Sequence, residues 1–351
     1  MTPTSQERGV LILAGGRGER FWPWSTPERP KQLLPLASGG RTLLGATFDR
    51  ALRLAPAERV VVMTSMDLRE ASQRECPGAV VLGEPMMRNT APAIAAAAAA
   101  RFRDDTVFAV LPADHAIDRV DAFAADFQRA FEIADRDAVL VTFGIPPTAP
   151  DPSFGYIQRG TAISDRVHRV ARFTEKPDRA TATAWLAAGG YAWNSGMFVW
   201  KRKTFFDALQ AKHPEIAQLR SFAFSDDAAA FGSQLRPVFE PLPSISVDHA
   251  VLEHAPNTVV LEASFDWDDL GSWTAWARRQ PRDARGNVTY GHAVPVECDD
   301  CVVVGDGTVA APLGQRGMVV VATAQGTLVC RVEDSESVRK VSEAVRARKA
   351  T

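Results

Sequence analysis

Residues 10–36 read VLILAGGRGERFWPWSTPERPKQLLPL, and the rest of the chain is organised around them. The apolar run Val10 to Leu13 predicts a buried parallel strand, which breaks at Ala14-Gly15-Gly16-Arg17-Gly18-Glu19-Arg20 into a loop that only glycines fold tightly. At the strand's carboxyl end, the amides of Ala14, Gly15, Gly16 and Gly18 can close around phosphate oxygens, while Arg17, Arg20 and Lys31 supply positive charge. Two better-known phosphate loops do not fit. A P-loop needs GKS or GKT after its second glycine, where Arg20-Phe21-Trp22 stands; a dinucleotide fingerprint needs a third glycine and a helix, and Pro23 interrupts. The plain alternative is a solvated turn with incidental charges.

With 351 residues, 46% of them hydrophobic, the chain can bury a large core, and its length suggests about two domains. Its 40 basic and 42 acidic residues leave a net charge of −2, without the footprint of a nucleic-acid or anionic-membrane partner. Cys76, Cys298, Cys301 and Cys330 are too few for a disulfide scaffold, so a cytoplasmic location is expected. Cys298-Asp-Asp-Cys301 has the spacing of half a zinc knuckle or a redox pair, but no second pair or histidine cluster accompanies it. The start MTPTSQERG lacks the apolar core of a leader, and no apolar run reaches membrane-spanning length.

Strand-like runs at Val60 to Thr64, Ala79 to Leu82, Thr106 to Leu111 and Ala138 to Phe143 alternate with helical patterns at Thr42 to Leu54, Leu68 to Arg74, Ala91 to Phe102 and Ala122 to Ala134. Such alternation predicts an α/β fold, a Rossmann-like, mainly parallel sheet flanked by helices, with ligands at the strands' carboxyl ends. From about residue 150 to 265 a Pro-rich link introduces mixed structure: strands at Gly155 to Arg159, Val167 to Phe173 and Met197 to Lys201, and helical stretches at 180–188 and 204–235. This insertion is expected to wall the pocket and hold a second substrate. Residues 1–276 thus form the expected catalytic domain. Residues 277–351 form a smaller domain of short strands (292–297, 301–304, 309–311, 318–323, 327–331), a β-roll or short β-helix, closed by a helix at 337–348.

Leu111-Pro112-Ala113-Asp114-His115 sets an acid just past a buried strand. A carboxylate beside a triphosphate is repulsive unless it ligates magnesium, which takes one or two carboxylates plus phosphate oxygens. Asp269, in FDWDDLGSW, is the second expected ligand, with Asp268 and Asp266 as neighbours; either acid could instead cap a turn. In GEPMMRNTAP, Glu84 could accept both the N1–H and the 2-amino group of guanine, a pair adenine lacks. Arg88 could meet a phosphate, and Asn89 could face the nucleotide or cap the following helix. Gly155, Glu175, Lys176 and Asn194 offer what a sugar phosphate needs, although a Glu-Lys pair is often a surface ion pair and Asn-Ser-Gly a turn.

The G-G-x-G-x-R loop followed by Pro30-Lys31 resembles the signature of sugar-1-phosphate nucleotidylyltransferases. Together with EPMMRNTAPAI, LPADH, FGYI, FTEKP, WNSGMF, SVDHAVLE and DWDDLGSW, it closely resembles the mannose-1-phosphate guanylyltransferases along nearly the whole chain. The resemblance implies GTP and mannose 1-phosphate as partners, magnesium as cofactor and a C-terminal β-helical domain; a homodimer is left open, because Asp299 to Arg316 is only loosely family-like. It implies Arg20 and Lys31 as catalytic residues on the departing pyrophosphate, Asp114 and Asp269 on the metal, Glu175, Asn194 and Gly155 on the sugar, and Lys176 on its phosphate. The chain departs from the family form at His249, where tyrosine or phenylalanine is usual. Without the isomerase domain that some relatives carry, a single activity is expected. Rival expectations are the same chemistry on another hexose 1-phosphate or nucleotide, and a non-catalytic nucleotide-sugar sensor.

Overall fold

The computed structural model describes residues 8–16 and 18–349; Arg17, one of the three cations expected at the loop, lies outside the described residues. They form two compact units. The first takes the described part of Met1–Gly15 with Leu44–Ala113 and Ile117–Trp267; the second takes Gly16–Leu43, Asp114–Ala116 and the described part of Asp268–Thr351.

The first unit is built on a nine-stranded sheet. Its strands are β1 (Arg8–Leu13), β2 (Val60–Ser65), β3 (Val80–Glu84), β4 (Val107–Pro112), β5 (Leu140–Ile145), β6 (Tyr156–Ser164), β7 (Val167–Thr174), β8 (Tyr191–Lys201) and β9 (Thr258–Glu262), in the order β3-β2-β1-β4-β8-β5-β9-β7-β6. All run one way except β7 and β8, as a mainly parallel sheet requires. The first strands are continuous apolar runs because helices cover both faces of a parallel sheet. The helix Thr90–Arg101 buries Ala91 to Ala98 in the same core as Leu11, Val61 and Phe108, since alanines let a helix lie close to a sheet. Asn89 caps it, its side chain accepting from Thr90 N at 2.8 Å.

The stretch expected as a separate wall behaves differently. Its strands β6 to β9 belong to the main sheet, and β8 lies between β4 and β5. Phe198, Val199 and Trp200 of β8 are all buried, so consecutive side chains pack on opposite faces and only a central position satisfies both.

The second unit carries a four-stranded sheet of β10 (Val288–Ala293), β11 (Val302–Ala310), β12 (Met318–Thr323) and β13 (Gly326–Arg331). The first three are parallel and successive, and parallel bridges Val296–Leu313 and Asp299–Arg316 extend the stacking, as in the turns of a β-helix. The expected runs 301–304 and 309–311 are one strand, because Gly305 and Asp306 continue the pairing with β12, while the pairing with β10 passes from Gly305 to Ala310 through an irregularity. This unit's core joins Phe21, Trp24 and Leu34 to Trp273, Trp276, Val302, Val319, Val321 and Val338. Trp24 stacks on Trp273 with centroids 5.8 Å apart and donates its indole N–H to Asp306 at 2.9 Å, which Arg29 also reaches at 2.7 Å. The helix Val338–Lys349 brings Arg346 to Glu19, 2.8 Å away. Among the described residues no helix is long and apolar enough to cross a membrane. The cysteine pair is packed rather than exposed: Cys298 and Cys301 are buried, their thiols donating to backbone carbonyls, and no group of three metal-ligating side chains occurs among the described residues.

Candidate functional site

The second unit gathers most of the charged candidates. After Gly16 the chain turns at Gly18, whose φ of +61 is left-handed, and a Cβ there would stand 2.3 Å from the Cβ of Lys31. Glycine is therefore required both by the turn and by the approach of Lys31. The side chain of Lys31 is only 9% exposed, and its ammonium donates to Asp114 Oδ2 at 2.9 Å and to the carbonyl of Asp269. Burial pushes the Asp114 carboxyl up, but Lys31 and His115 outweigh it and hold the group below its ordinary range. Burial pushes Asp269 up; Lys31 opposes this, whereas the carboxylates of Asp268 and Asp114 add to it, and the group stays raised. Arg20 reaches the carbonyl of Gly271 at 3.5 Å. Arg20, Lys31, Asp114 and Asp269 thus form one cluster of two cations and two carboxylates.

The neighbouring acids are committed elsewhere. Asp266 accepts from the backbone N–H of Asp118 and of Arg119, ahead of the helix Val120–Arg136, and Asp268 accepts from Leu270 N at 2.8 Å. Of the three acids in FDWDD, Asp269 is the one set beside Lys31.

In the first unit, Ala14 continues β1: its N–H donates to Met63 O at 2.8 Å and its carbonyl accepts from Thr64 Oγ1 at 3.1 Å. A Cβ at Gly15 would stand 3.1 Å from Glu84 Oε1, so the carboxyl ends of β1 and β3 bring Gly15 and Glu84 together. Glu84 is buried, its Oε2 has no hydrogen-bond partner among the described residues, and burial raises its carboxyl to about 7. A buried acceptor left unpaired is costly and marks a place where a ligand's donor would be gained. Arg88 is placed otherwise than expected: its guanidinium donates to the carbonyls of Phe239 and Glu240, at the C-terminal end of the helix Phe231–Phe239. The Phe239 carbonyl also accepts from Leu242 N at 3.1 Å, and a cation beside a helix C-terminus is well placed.

The expected sugar residues also assemble in this unit. Glu175 lies against Gly155, where a Cβ would stand 2.5 Å from Glu175 Oε2 and 3.4 Å from the Cβ of Asn194. Lys176, with φ +47, pairs with Glu175 Oε1. Asn194 is oriented from both ends of its amide: Oδ1 accepts from Thr142 Oγ1 at 3.1 Å, and Nδ2 donates to Asp248 Oδ1 at 2.8 Å.

Comparison with known proteins decides what these groups belong to. The nucleotidyl transferase family profile matches residues 9–285, and that of the mannose-phosphate isomerase/GMP-like β-helix domain matches residues 291–344. The chain belongs to the nucleotidyl transferase family. An Escherichia coli protein named mannose-1-phosphate guanylyltransferase is 39% identical over 95% of this chain and 73% of its own length. A Xanthomonas campestris relative, the xanthan biosynthesis protein XanB, is 36% identical over 96% of this chain and 73% of its own. Among solved structures, a Thermus thermophilus protein described as a mannose-1-phosphate geranyltransferase superposes with a TM-score of 0.85 at 32% identity, covering 97% of this chain and 99% of that one.

Two residues of this nucleotidyl transferase escaped the sequence reading. Gly271 is flanked by Asp269 Oδ2, 2.9 Å from where a Cβ would stand, and by an Arg20 nitrogen at 3.2 Å, so a methyl there would push on the ends of both side chains. The signal was present as the glycine of DWDDLGSW. Asp248 stands beside Glu175 and Asn194; burial and the Glu175 carboxylate raise its carboxyl to about 6, against the Asn194 hydrogen bond. It opens a π-helical turn, Asp248–Leu252, a local irregularity that sequence periodicity does not show.

Proposed function

We propose that the chain transfers a guanylyl group from GTP to mannose 1-phosphate. The observation that carries this reading is the cluster of Arg20, Lys31, Asp114 and Asp269 beside the glycine loop, the charge set that phosphoryl chemistry needs. An oxygen of the sugar phosphate attacks the α-phosphorus of GTP in line, the bond to the β-phosphate oxygen breaks, and pyrophosphate leaves. The attacking group is already anionic, so no general base and no covalent intermediate are needed; the protein supplies position and charge.

Asp114 and Asp269 fit a magnesium ion, because Lys31 ties the Asp114 carboxylate and the Asp269 backbone together, and burial, with the charges of Asp268 and Asp114 added, keeps the Asp269 carboxyl raised. When bound, the ion would neutralise phosphate charge as the reactants close. Arg20 and Lys31 hold the departing pyrophosphate, and Lys31 also fixes the rotamer of Asp114. Glu84, with its unpartnered oxygen, accepts the two donors of guanine. Gly155, Glu175 and Asn194 receive the sugar hydroxyls, with Lys176 toward the sugar's phosphate. The names of the curated relatives support the same substrates.

The test is pyrophosphate release from a matrix of nucleotides and hexose 1-phosphates. Turnover greatest with GTP and mannose 1-phosphate is expected; equal use of ATP removes the guanine assignment, and no release with any pair removes the reaction.

A further inference from the structure

The nucleotide loop and the sugar residues of the first unit are joined by one short segment. Val247 N donates to Thr90 Oγ1 at 2.8 Å, and Ala91 N donates to Ile245 O at 3.1 Å. Arg88 adds its bonds to Phe239 and Glu240, so residues 88–91 are fixed to 239–247 at several points. The residue after Val247 is Asp248, whose carboxylate receives the amide of Asn194. Thr90 thus lies one hydrogen bond and one peptide unit from Asp248.

The chemistry around Asp248 indicates what it holds. Ionised carboxylates only accept hydrogen bonds, and burial together with the Glu175 carboxylate raises the cost of ionising Asp248, with Asn194 beside both. Such a pair repels a phosphate and suits neighbouring hydroxyls, each of which brings a donor. The π-helical turn fixes the start of the segment that carries Asp248, as such turns often do at binding sites.

We propose that Ile245–Asp248 is a strut by which Thr90, in the nucleotide loop, positions Asp248 to grip, beside Glu175, neighbouring hydroxyls of the sugar. This deepens the function proposed above and rests on it for the identity of the sugar. Thr90 is a positioning residue, and Asp248 a binding residue.

Thr90→Val keeps the shape and removes the hydroxyl, whereas Thr90→Ser keeps the hydroxyl. Steady-state kinetics with GTP and mannose 1-phosphate, with thermal melting alongside, should show Thr90→Val raising the KM for the sugar phosphate about tenfold, with kcat and the KM for GTP within about threefold of the parent. Thr90→Ser should restore the parent value. Asp248→Asn should raise the same KM, and adding Thr90→Val to it should change little, because both act on one contact. An unchanged sugar-phosphate KM in Thr90→Val, an equal rise for both substrates, failure of serine to restore it, or additivity with Asp248→Asn would each overturn the strut. Failure of the function itself would appear separately, as absent turnover by the unmodified protein. If another hexose 1-phosphate is the better substrate, the same comparison applies with that sugar.

Discussion

Lys31 and Asp114 form an ion pair at 2.9 Å in which the lysine is nearly enclosed and the aspartate remains 41% exposed. One carboxylate oxygen is held by Lys31, and the other faces His115 at 3.8 Å. Lys31→Met keeps the aliphatic stem packed against Gly18 and removes the charge. Turnover should fall about a hundredfold, the scale of one lost transition-state contact. Asp114 should titrate higher once Lys31 no longer opposes its burial, moving the acid limb of the kcat profile to higher pH. Circular dichroism checks the fold and a pH series of kcat the shift; unchanged turnover would place Lys31 outside the reaction.

Asp114→Asn and Asp269→Asn should each leave a folded protein that needs far more magnesium, since a neutral amide is a poor ligand for a hard cation. Combined, their effects should overlap rather than multiply. Magnesium titrations of turnover for the two single variants and the double decide this. Because Asp266 and Asp268 already serve backbone N–H groups, a normal titration for Asp269→Asn would remove the metal assignment from this segment altogether.

Glu84 couples stability to pH. Its carboxyl is raised from 4.5 to about 7 in the folded protein, so the fold prefers it protonated. That stabilisation is complete below the unfolded value of 4.5 and is lost as pH rises through about 7, a change of about 3 kcal/mol. Glu84→Gln has nothing to titrate, so its stability relative to the parent should grow across this window, as urea melts at a series of pH values would show. Guanine needs the ionised acceptor, so GTP affinity of the parent should rise through about pH 7. In Glu84→Gln it should be weaker and flat; a variant that keeps the parent's affinity and its pH dependence shows that the base lies elsewhere.

Gly18→Ala should be worse than an ordinary loop substitution. It forces a left-handed backbone on alanine, at about 1–2 kcal/mol, and drives a methyl into Lys31. Gly16, where a Cβ would meet nothing within 4 Å, is the control. Gly18→Ala is expected to lower both melting temperature and turnover, and Gly16→Ala to change melting by less than about 0.5 kcal/mol. Equal effects would mean that the approach of Lys31 is not what requires the glycine.

How much of this could be read from the chain depended on the range of the interactions. Runs such as Val60-Val61-Val62-Met63-Thr64 announce a strand wherever they lie, because both faces of a parallel sheet are buried. The run Thr258 to Glu262 is as apolar, yet five residues beside a helical stretch do not distinguish a strand from a helix end, and β9 was missed. β8 starts at Tyr191, well before the expected Met197, because Asn194-Ser195-Gly196 reads as a turn while in the fold it is a strand irregularity opposite Gly144. The interleaved order of strands is set by packing between distant segments and leaves no local mark. Arg88 shows the same limit: nothing near it in sequence reveals the carbonyls of Phe239 and Glu240 that occupy it.

The core that joins Phe21, Trp24 and Leu34 to Trp273, Val302, Val319 and Val338 has a consequence for genetics. The segment that carries Arg20 and Lys31 anchors its own Phe21, Trp24 and Leu34 in a core whose other residues come from strands nearly three hundred residues downstream. A protein cut after residue 276 would keep every charged residue of the proposed reaction and lose the surface that shapes their loop. In a screen for inactive variants, cavity-forming changes at Val302 or Val319 should therefore score with the charged residues, although neither valine would touch a substrate.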